Sequence, residues 1–327
     1  MRIVFAGSGT FALPSLRALV EGGQEVVLVL TQPDRPAGRG RSVRIGPVKG
    51  FAAERGIPLS QPEDVSAPAA VRRIREARPD LLVVVAYGQM LKRRLLDLPP
   101  YGAVNLHASL LPKYRGAAPV HWAVINGETE TGLTVIAMTE QMDAGDILGQ
   151  RATPIGPDET AGELYDRLAD LGARLVTEIV REISREEVAR RHQNETRATY
   201  APRLKKEDGR IDWDKPAEVA YNHIRGVTPW PGAFTFLPAG RKKRPLRVLV
   251  DRAARSPASP GKAAPGEVIS AGAKGIEVAC GRGAVRLLEL TPAGKRRMRA
   301  ADFLNGHPLV PGDRFLGKEE KAGARRP

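Results

Sequence analysis

The chain has 327 residues, enough for two domains with a core each, and one cysteine, Cys280, with no close Cys or His grouping at metal-ligand spacing; neither a disulfide scaffold nor a structural metal is expected. Its longest apolar runs, such as Leu81 to Ala86, are strand-sized, and Met1 leads into a strand without a signal-peptide pattern, so the reading is a soluble, cytoplasmic protein with no membrane span. The formal net charge of +14 is uneven: residues 1–188 hold 22 Lys/Arg against 23 Asp/Glu, a net of −1, and residues 189–327 hold 29 against 14, a net of +15, which fits a nucleic-acid partner or a solvated basic surface.

In chain order, Arg2 to Ala6, Glu25 to Thr31, Asp80 to Ala86, Gly102 to His107 and Thr131 to Met138 read as strands. Val, Ile and Leu fall on consecutive positions there, as strands covered on both faces require. Amphipathic helices are expected near Leu13 to Glu21, Val48 to Arg55 and Ala69 to Ala77, and a longer one over Ala161 to Glu187 ends a first domain at residue 188. The alternation predicts an α/β, Rossmann-like domain with a mostly parallel sheet between helices. Residues 189–208 are polar, contain Pro202 and read as a linker. Beyond it, strand patterns at Ala233 to Leu237, Leu246 to Val250, Glu267 to Ile269, Gly275 to Ala279 and Ala284 to Leu290, separated by Gly and Pro, predict a smaller β-barrel (OB-like) domain over 209–327. Trp213 and Trp230 are expected to pack rather than to stack on bases.

Two signals compete for the chemistry. Gly7-Ser8-Gly9-Thr10-Phe11-Ala12 follows the first strand and fits a dinucleotide-binding turn. A ribose-binding acid should then end the second strand, yet Thr31-Gln32-Pro33-Asp34 runs on into an Arg/Gly loop, and a purely structural turn is the better reading. The stronger signal is Asn105-Leu106-His107. Residues two apart on a strand share a face, so Asn105 and His107 can meet one ligand at the C-terminal end of a parallel strand, with Leu106 in the opposite layer.

Ser109-Leu110-Leu111-Pro112-Lys113-Tyr114-Arg115-Gly116 follows directly, and Met142-Asp143-Ala144-Gly145-Asp146 follows the next strand. With these three elements in order, the sequence resembles the formyltetrahydrofolate-dependent formyltransferases. The resemblance implies that Asn105, His107 and Asp143 are catalytic, with Asp143 rather than Asp146 in the acid's role. It also implies that Ser109, Leu110, Leu111 and Pro112 line the site of 10-formyltetrahydrofolate. Formyl transfer to an amine passes through a tetrahedral oxyanion. Asn105 and His107 can donate to it, and Asp143 can hold His107 and help relay the amine's proton, without a metal or a covalent enzyme intermediate.

Relatives of this kind differ in acceptor. Thr31-Gln32-Pro33-Asp34-Arg35-Pro36-Ala37-Gly38-Arg39-Gly40-Arg41, Ala198-Thr199-Tyr200-Ala201-Pro202 and Asn222-His223-Ile224-Arg225-Gly226-Val227-Thr228-Pro229-Trp230-Pro231-Gly232 are similar to the members that act on methionyl initiator tRNA. That similarity implies tRNA contacts from Arg35, Arg39, Arg41 and Arg44 and a tRNA-binding second domain; no obligate protein partner is evident. One departure is Ser8-Gly9-Thr10 where relatives carry a Thr-Pro pair after the first glycine.

Overall fold

The computed structural model describes residues 1–37, 42–43, 45–238 and 245–317. The chain divides into two compact units. The first comprises residues 1–119, 130–154 and 164–202, and the second residues 120–129, 155–163 and 203–327.

The first unit begins with β1 (Arg2–Gly7), α1 (Gly9–Glu21) and β2 (Glu25–Leu30), followed by a short antiparallel pair, β3 (Pro36–Ala37) and β4 (Ser42–Val43). Then come α2 (Pro47–Glu54), β5 (Leu59–Ser60), α3 (Pro68–Glu76), β6 (Leu81–Val85), α4 (Arg93–Leu96) and β7 (Ala103–His107). Helix α5 (Pro119–Ile125), which from Val120 on belongs to the second unit, precedes β8 (Glu130–Ala137), β9 (Ile147–Pro154) and the long α6 (Ala161–Ser184), whose first turn also belongs to the second unit. The sheet order is β5-β2-β1-β6-β7-β8-β9, parallel up to β7 and antiparallel beyond it.

Period-two alternation builds the core. Val4 and Ala6 of β1, Leu28 and Leu30 of β2 and Leu82 and Val84 of β6 join one buried cluster with Val71 and Ile74 of α3, while Ile3, Phe5, Val29 and Val83 are buried on the other face. Each of the Val, Leu, Ile and Phe side chains among them contributes about 1.5–3 kcal/mol by leaving water. Helix α3 is amphipathic, with Arg72, Arg73, Arg75 and Glu76 exposed opposite its apolar stripe. On α6, Leu168, Leu175, Ile179 and Ile183 recur at helical spacing and are buried. Gly172 of that helix lies so close to the sheet that a Cβ would sit 2.6 Å from Leu106 Cδ2. Leu106 is thus under α6, and its neighbours Asn105 and His107 face the other way.

The second unit holds α7 (Ala217–Gly226), β10 (Ala233–Leu237), β11 (Leu246–Ser256), β12 (Val268–Gly272), β13 (Gly275–Ala279), β14 (Ala284–Pro292), β15 (Met298–Arg299) and α8 (Ala300–Gly306). Its antiparallel sheet runs β10-β11-β14-β13-β12 with β15 on β14. The last described segment closes it toward a barrel: Leu316 bridges Phe236 of β10, and Arg314 bridges Glu267 just before β12. The core includes Trp213, Tyr221, Ile224, Phe303 and Phe315, and the Trp213 indole donates to Thr235 Oγ1 at 3.0 Å. Trp230, expected to pack, is half exposed instead.

Several elements depart from expectation. The edge strand β9 escapes because its outer positions, Arg151 and Ala152, are exposed. Helices α7 and α8 lie inside what reads as an all-β domain. The segment 189–202, expected to be linker, belongs to the first unit, while 155–163 belongs to the second, where Tyr221 donates its hydroxyl to Asp158 at 2.6 Å and Arg225 Nη1 donates to Glu159 O at 3.1 Å.

Candidate active site

The site stands at the C-terminal end of β7, where a parallel strand meets the antiparallel β8. Strand register puts Asn105 between Val84 and Ile136, partly exposed, and among the described residues its side-chain amide has no hydrogen-bond partner. Both of its N–H donors are therefore available to a ligand.

His107 is buried, and both ring nitrogens face acceptors. Nε2 lies 2.8 Å from the Tyr114 carbonyl, which can only accept, so the Nε2–H donates there. Nδ1 faces Asp143 Oδ2 at 3.5 Å, longer than a good hydrogen bond but within ion-pair reach. An imidazole free to donate to a substrate oxygen is therefore not what this geometry provides. Any such contact would have to share a proton on Nδ1 with Asp143.

Asp143 is fixed from several sides. It adopts a left-handed backbone, φ 53°, uncommon for a non-glycine residue and worth a functional question. Its Oδ2 accepts the Gly116 N–H at 2.8 Å. Two residues on, a Cβ at Gly145 would sit 1.7 Å from the Ala137 carbonyl oxygen, so the turn admits only glycine. Asp146 is engaged elsewhere, with His192, so the acid beside His107 is Asp143.

The 109–112 loop is held by its own polar groups. Ser109, fully buried, donates to Lys113 O at 2.6 Å. Thr134 of β8 donates to Ser109 O at 2.6 Å and accepts from Leu111 N at 3.1 Å, and Gln150 of β9 donates to Leu111 O at 2.8 Å. Leu111 packs with Ile136 and Ile147, and Leu110 lies over Gly132, where a Cβ would meet its Cδ2 at 2.5 Å. Ser109 and Leu111 thus shape the loop, while Leu110 and Pro112 keep some exposed surface.

Three site residues carry no role in the sequence reading. Arg115, 1 % exposed, makes a bidentate pair with Glu195, 2.8 Å on each arm, and also donates to Gln193 Oε1. The hydrogen bonds from Arg115 hold the Glu195 carboxyl below its ordinary value, and Glu195 in turn raises that of the guanidinium. Gln193 reaches the carbonyls of Asp143 and Gly145. The signal for Arg115 was its place in the Tyr-Arg-Gly run. Nothing local marks Gln193 and Glu195, which sit in a polar stretch.

Of the four arginines expected at tRNA, Arg35 is exposed and 3.5 Å from Glu63, and Arg39, Arg41 and Arg44 lie outside the described residues. Asp34 is paired with Lys49 and accepts from Gln61 at 3.1 Å. The hydrogen bond from Lys49 is the main reason its carboxyl is held below the ordinary value. Gly7 is wedged against Phe5, Ala12 and the Val85 carbonyl, with no room for a Cβ, as a structural turn requires. Among the described residues there is no grouping of His, Cys, Asp or Glu that could hold a metal, and no helix long and apolar enough to cross a membrane.

An amide with free donors beside an imidazole–carboxylate pair can hold a developing oxyanion and pass on a proton. Among the described residues, neither the Ser109 hydroxyl nor the Cys280 thiol is poised as a nucleophile there. The Ser109 hydroxyl is committed to Lys113 O, and Cys280, in the second unit, is buried with its thiol pushed up to about 12 by desolvation.

Residues 1–180 match the family described as formyl transferase, and residues 203–308 its C-terminal domain. The chain is 49% identical over 320 residues to the methionyl-tRNA formyltransferase of Citrifermentans bemidjiense, covering 98% of each chain. It is 48% identical over 315 residues to that of Geobacter sulfurreducens, covering 96% of each. Among solved structures, the N-formyltransferase from Helicobacter canadensis, in complex with folinic acid and dTDP-3-aminofucose, superposes with a TM-score of 0.61 at 17% identity, over 87% of this chain and 98% of that one. A sugar 3N-formyltransferase in the presence of dTDP and 5-N-formyltetrahydrofolate gives 0.63 at 17% identity, over 90% and 99%. These two establish a shared fold.

Proposed function

The chain belongs to the formyl transferase family, and on that premise we propose that it moves the formyl group of 10-formyltetrahydrofolate onto the α-amino group of methionyl initiator tRNA, giving N-formylmethionyl-tRNA for translation initiation. The observation that carries the chemistry is the adjacency of a free Asn105 amide to the His107–Asp143 pair at the open end of β7. Full-length likeness to methionyl-tRNA formyltransferases carries the choice of acceptor. The setting is the cytoplasm, where translation takes place.

In the reaction, the methionyl amine adds to the formyl carbon. The C–O π electrons move to the formyl oxygen, and Asn105 is the donor best placed to hold that oxyanion. Collapse re-forms the carbonyl and breaks the bond to the folate nitrogen, which leaves with the electron pair and takes a proton. His107 and Asp143 carry the proton lost by the methionyl amine, directly or through water. Leu110 and Pro112, the partly exposed members of the 109–112 loop, line the folate. Arg35, Arg39, Arg41 and Arg44 direct the acceptor end of the tRNA, and the second unit contributes phosphate affinity. The Asp34 carboxylate, already paired with Lys49, speaks against a nicotinamide-dependent oxidoreductase.

The test is to incubate the protein with 10-formyltetrahydrofolate and charged initiator tRNA and to assay formylmethionyl-tRNA. Turnover on the tRNA is expected. Turnover on an amino sugar nucleotide with none on the tRNA would overturn the acceptor assignment while leaving the formyl-transfer chemistry in place.

A further inference from the structure

The stretch that reads as interdomain linker runs, from Gln193 to Ala201, against the catalytic loops. Tyr200 pairs with Arg115 as a parallel bridge. Arg115 N donates to Thr199 O at 2.8 Å, Ala201 N donates to Arg115 O at 2.7 Å, and Tyr114 N donates to Thr199 Oγ1 at 2.8 Å. A Cβ on Gly116 would meet the Ala201 carbonyl at 2.8 Å.

Three consecutive residues of that loop each grip a different part of the site. The Tyr114 carbonyl takes the His107 Nε2–H, the Gly116 N–H takes Asp143 Oδ2, and between them the Arg115 guanidinium takes Gln193 Oε1 through Nε at 3.1 Å and Nη2 at 2.7 Å. Gln193 completes a ring by donating Nε2–H to Asp143 O at 2.7 Å and to Gly145 O at 2.8 Å. Its amide has one workable orientation. Turned over, it would set its oxygen against two carbonyls and its NH₂ against a guanidinium, opposing acceptors and donors.

We propose that Gln193 is a positioning residue for formyl transfer, which holds the left-handed Asp143 turn so that its carboxylate stays on His107, with Arg115 and Glu195 fixing the amide that does so. The alternative that it only secures the strap to the body of the unit is weaker, because both donors go to the turn that carries Asp143 and none to the sheet. The Asp143 carboxylate is 3.5 Å from Nδ1, so a small rotation of that turn opens or closes the contact. Misplacing a catalytic group by about 1 Å costs on the order of 100-fold in rate.

This inference rests on the proposed formyl-transfer reading, and the two fail differently. Gln193→Glu keeps the size and the acceptor for Arg115 but puts a carboxylate oxygen against the Asp143 and Gly145 carbonyls. Gln193→Met, near in shape and uncharged, removes the same donors without adding charge and serves if the first variant does not fold. In steady-state formylation of methionyl-tRNA across pH, each folded variant should lose about 10- to 100-fold in kcat, keep its KM for the tRNA within about twofold, and show a pH–rate profile displaced from that of the wild type. The profile separates positioning from damage, since a smaller active fraction scales a profile without moving it. A superimposable profile after scaling, or a loss confined to KM, would overturn the proposal. A wild type that formylates no methionyl-tRNA would overturn the underlying reading instead.

Discussion

At the residue scale, the burden on Asn105 follows from what its neighbours are doing. His107 gives Nε2–H to a backbone carbonyl and turns Nδ1 to Asp143, so the amide is the side chain with donors to spare. Asn105→Ala should lower kcat by about 100-fold or more, the usual effect of removing an oxyanion donor, and leave tRNA affinity nearly unchanged. A parallel loss of tRNA binding would show that Asn105 also holds the acceptor. Asp143→Asn keeps the shape and can still accept from Gly116 N, so a comparable fall in kcat would come from the lost charge alone, and wild-type rates would make the carboxylate structural. Tyr87 offers a contrasting case. Its hydroxyl is buried without a hydrogen-bond partner among the described residues, and burial pushes its pKa up to about 12. Removing an unsatisfied hydroxyl should relieve a desolvation cost, so Tyr87→Phe should be neutral or more stable by about 1 kcal/mol in denaturant unfolding. A clear destabilisation would mean that the hydroxyl has a partner.

At the element scale, the turn after β8 decides whether the acid reaches the base. Gly145 cannot carry a side chain without moving the Ala137 carbonyl of β8, so Gly145→Ala should displace Asp143 as well as strain the strand. The expected result is a melting point lower by several degrees, equivalent to roughly 2 kcal/mol, together with a loss of activity larger than the unfolded fraction explains. A loss in proportion to unfolding would detach the turn from catalysis. This turn also marks the limit of what the sequence discloses. Asn105 and His107 share a face by strand periodicity alone, and the buried run Leu81 to Val85 announces a central strand. Gln193 contacts Asp143 across fifty residues, and no local pattern encodes such a pairing. Strand β9 is obscured by its edge position, and α7 and α8 by the Gly- and Pro-bearing turns that follow them.

The barrel has its own polar anchor between β13 and β14. Burial alone would raise the Glu277 carboxyl, but hydrogen bonds from Arg286 and Ser256 and the charge of the guanidinium outweigh it and hold the group below its ordinary 4.5. A carboxyl so lowered binds its proton less readily folded than unfolded. Its contribution is present in full above the ordinary value and is lost as pH falls through the lowered one. Arg286→Ala removes its hydrogen bonds and its charge and leaves burial opposed by serine hydrogen bonds, so the lowering shrinks. The variant should be about 1–3 kcal/mol less stable near neutrality, and the gap should narrow as the carboxyl protonates. Melting curves between about pH 7 and pH 4 test this, and a gap constant across pH would mean that Arg286 contributes packing rather than charge.

At the scale of the whole molecule, one enzyme must hold a large polyanion and place a single amine. The net charge of +15 over residues 189–327, against −1 over residues 1–188, suggests that affinity and placement come from different parts of the chain. Affinity built on phosphate contacts releases counterions and weakens steeply with salt, whereas placement acts after binding and shows in the maximal rate. Neutralising Arg241, Lys242, Lys243 and Arg244 together should raise the tRNA concentration needed for half-maximal rate and flatten its dependence on salt, with the maximal rate kept. Arg39→Ala, in the Arg/Gly loop, should do the reverse, lowering the rate at saturating tRNA while the salt slope stays near that of the wild type. Saturation kinetics on both variants over one salt series separate the two effects. If Arg39→Ala shifted only the half-saturating concentration, the loop would be one more phosphate contact, and the amine would have to be placed by other groups of the first unit, with Asn105 and the stretch around Gln193 the next to be varied.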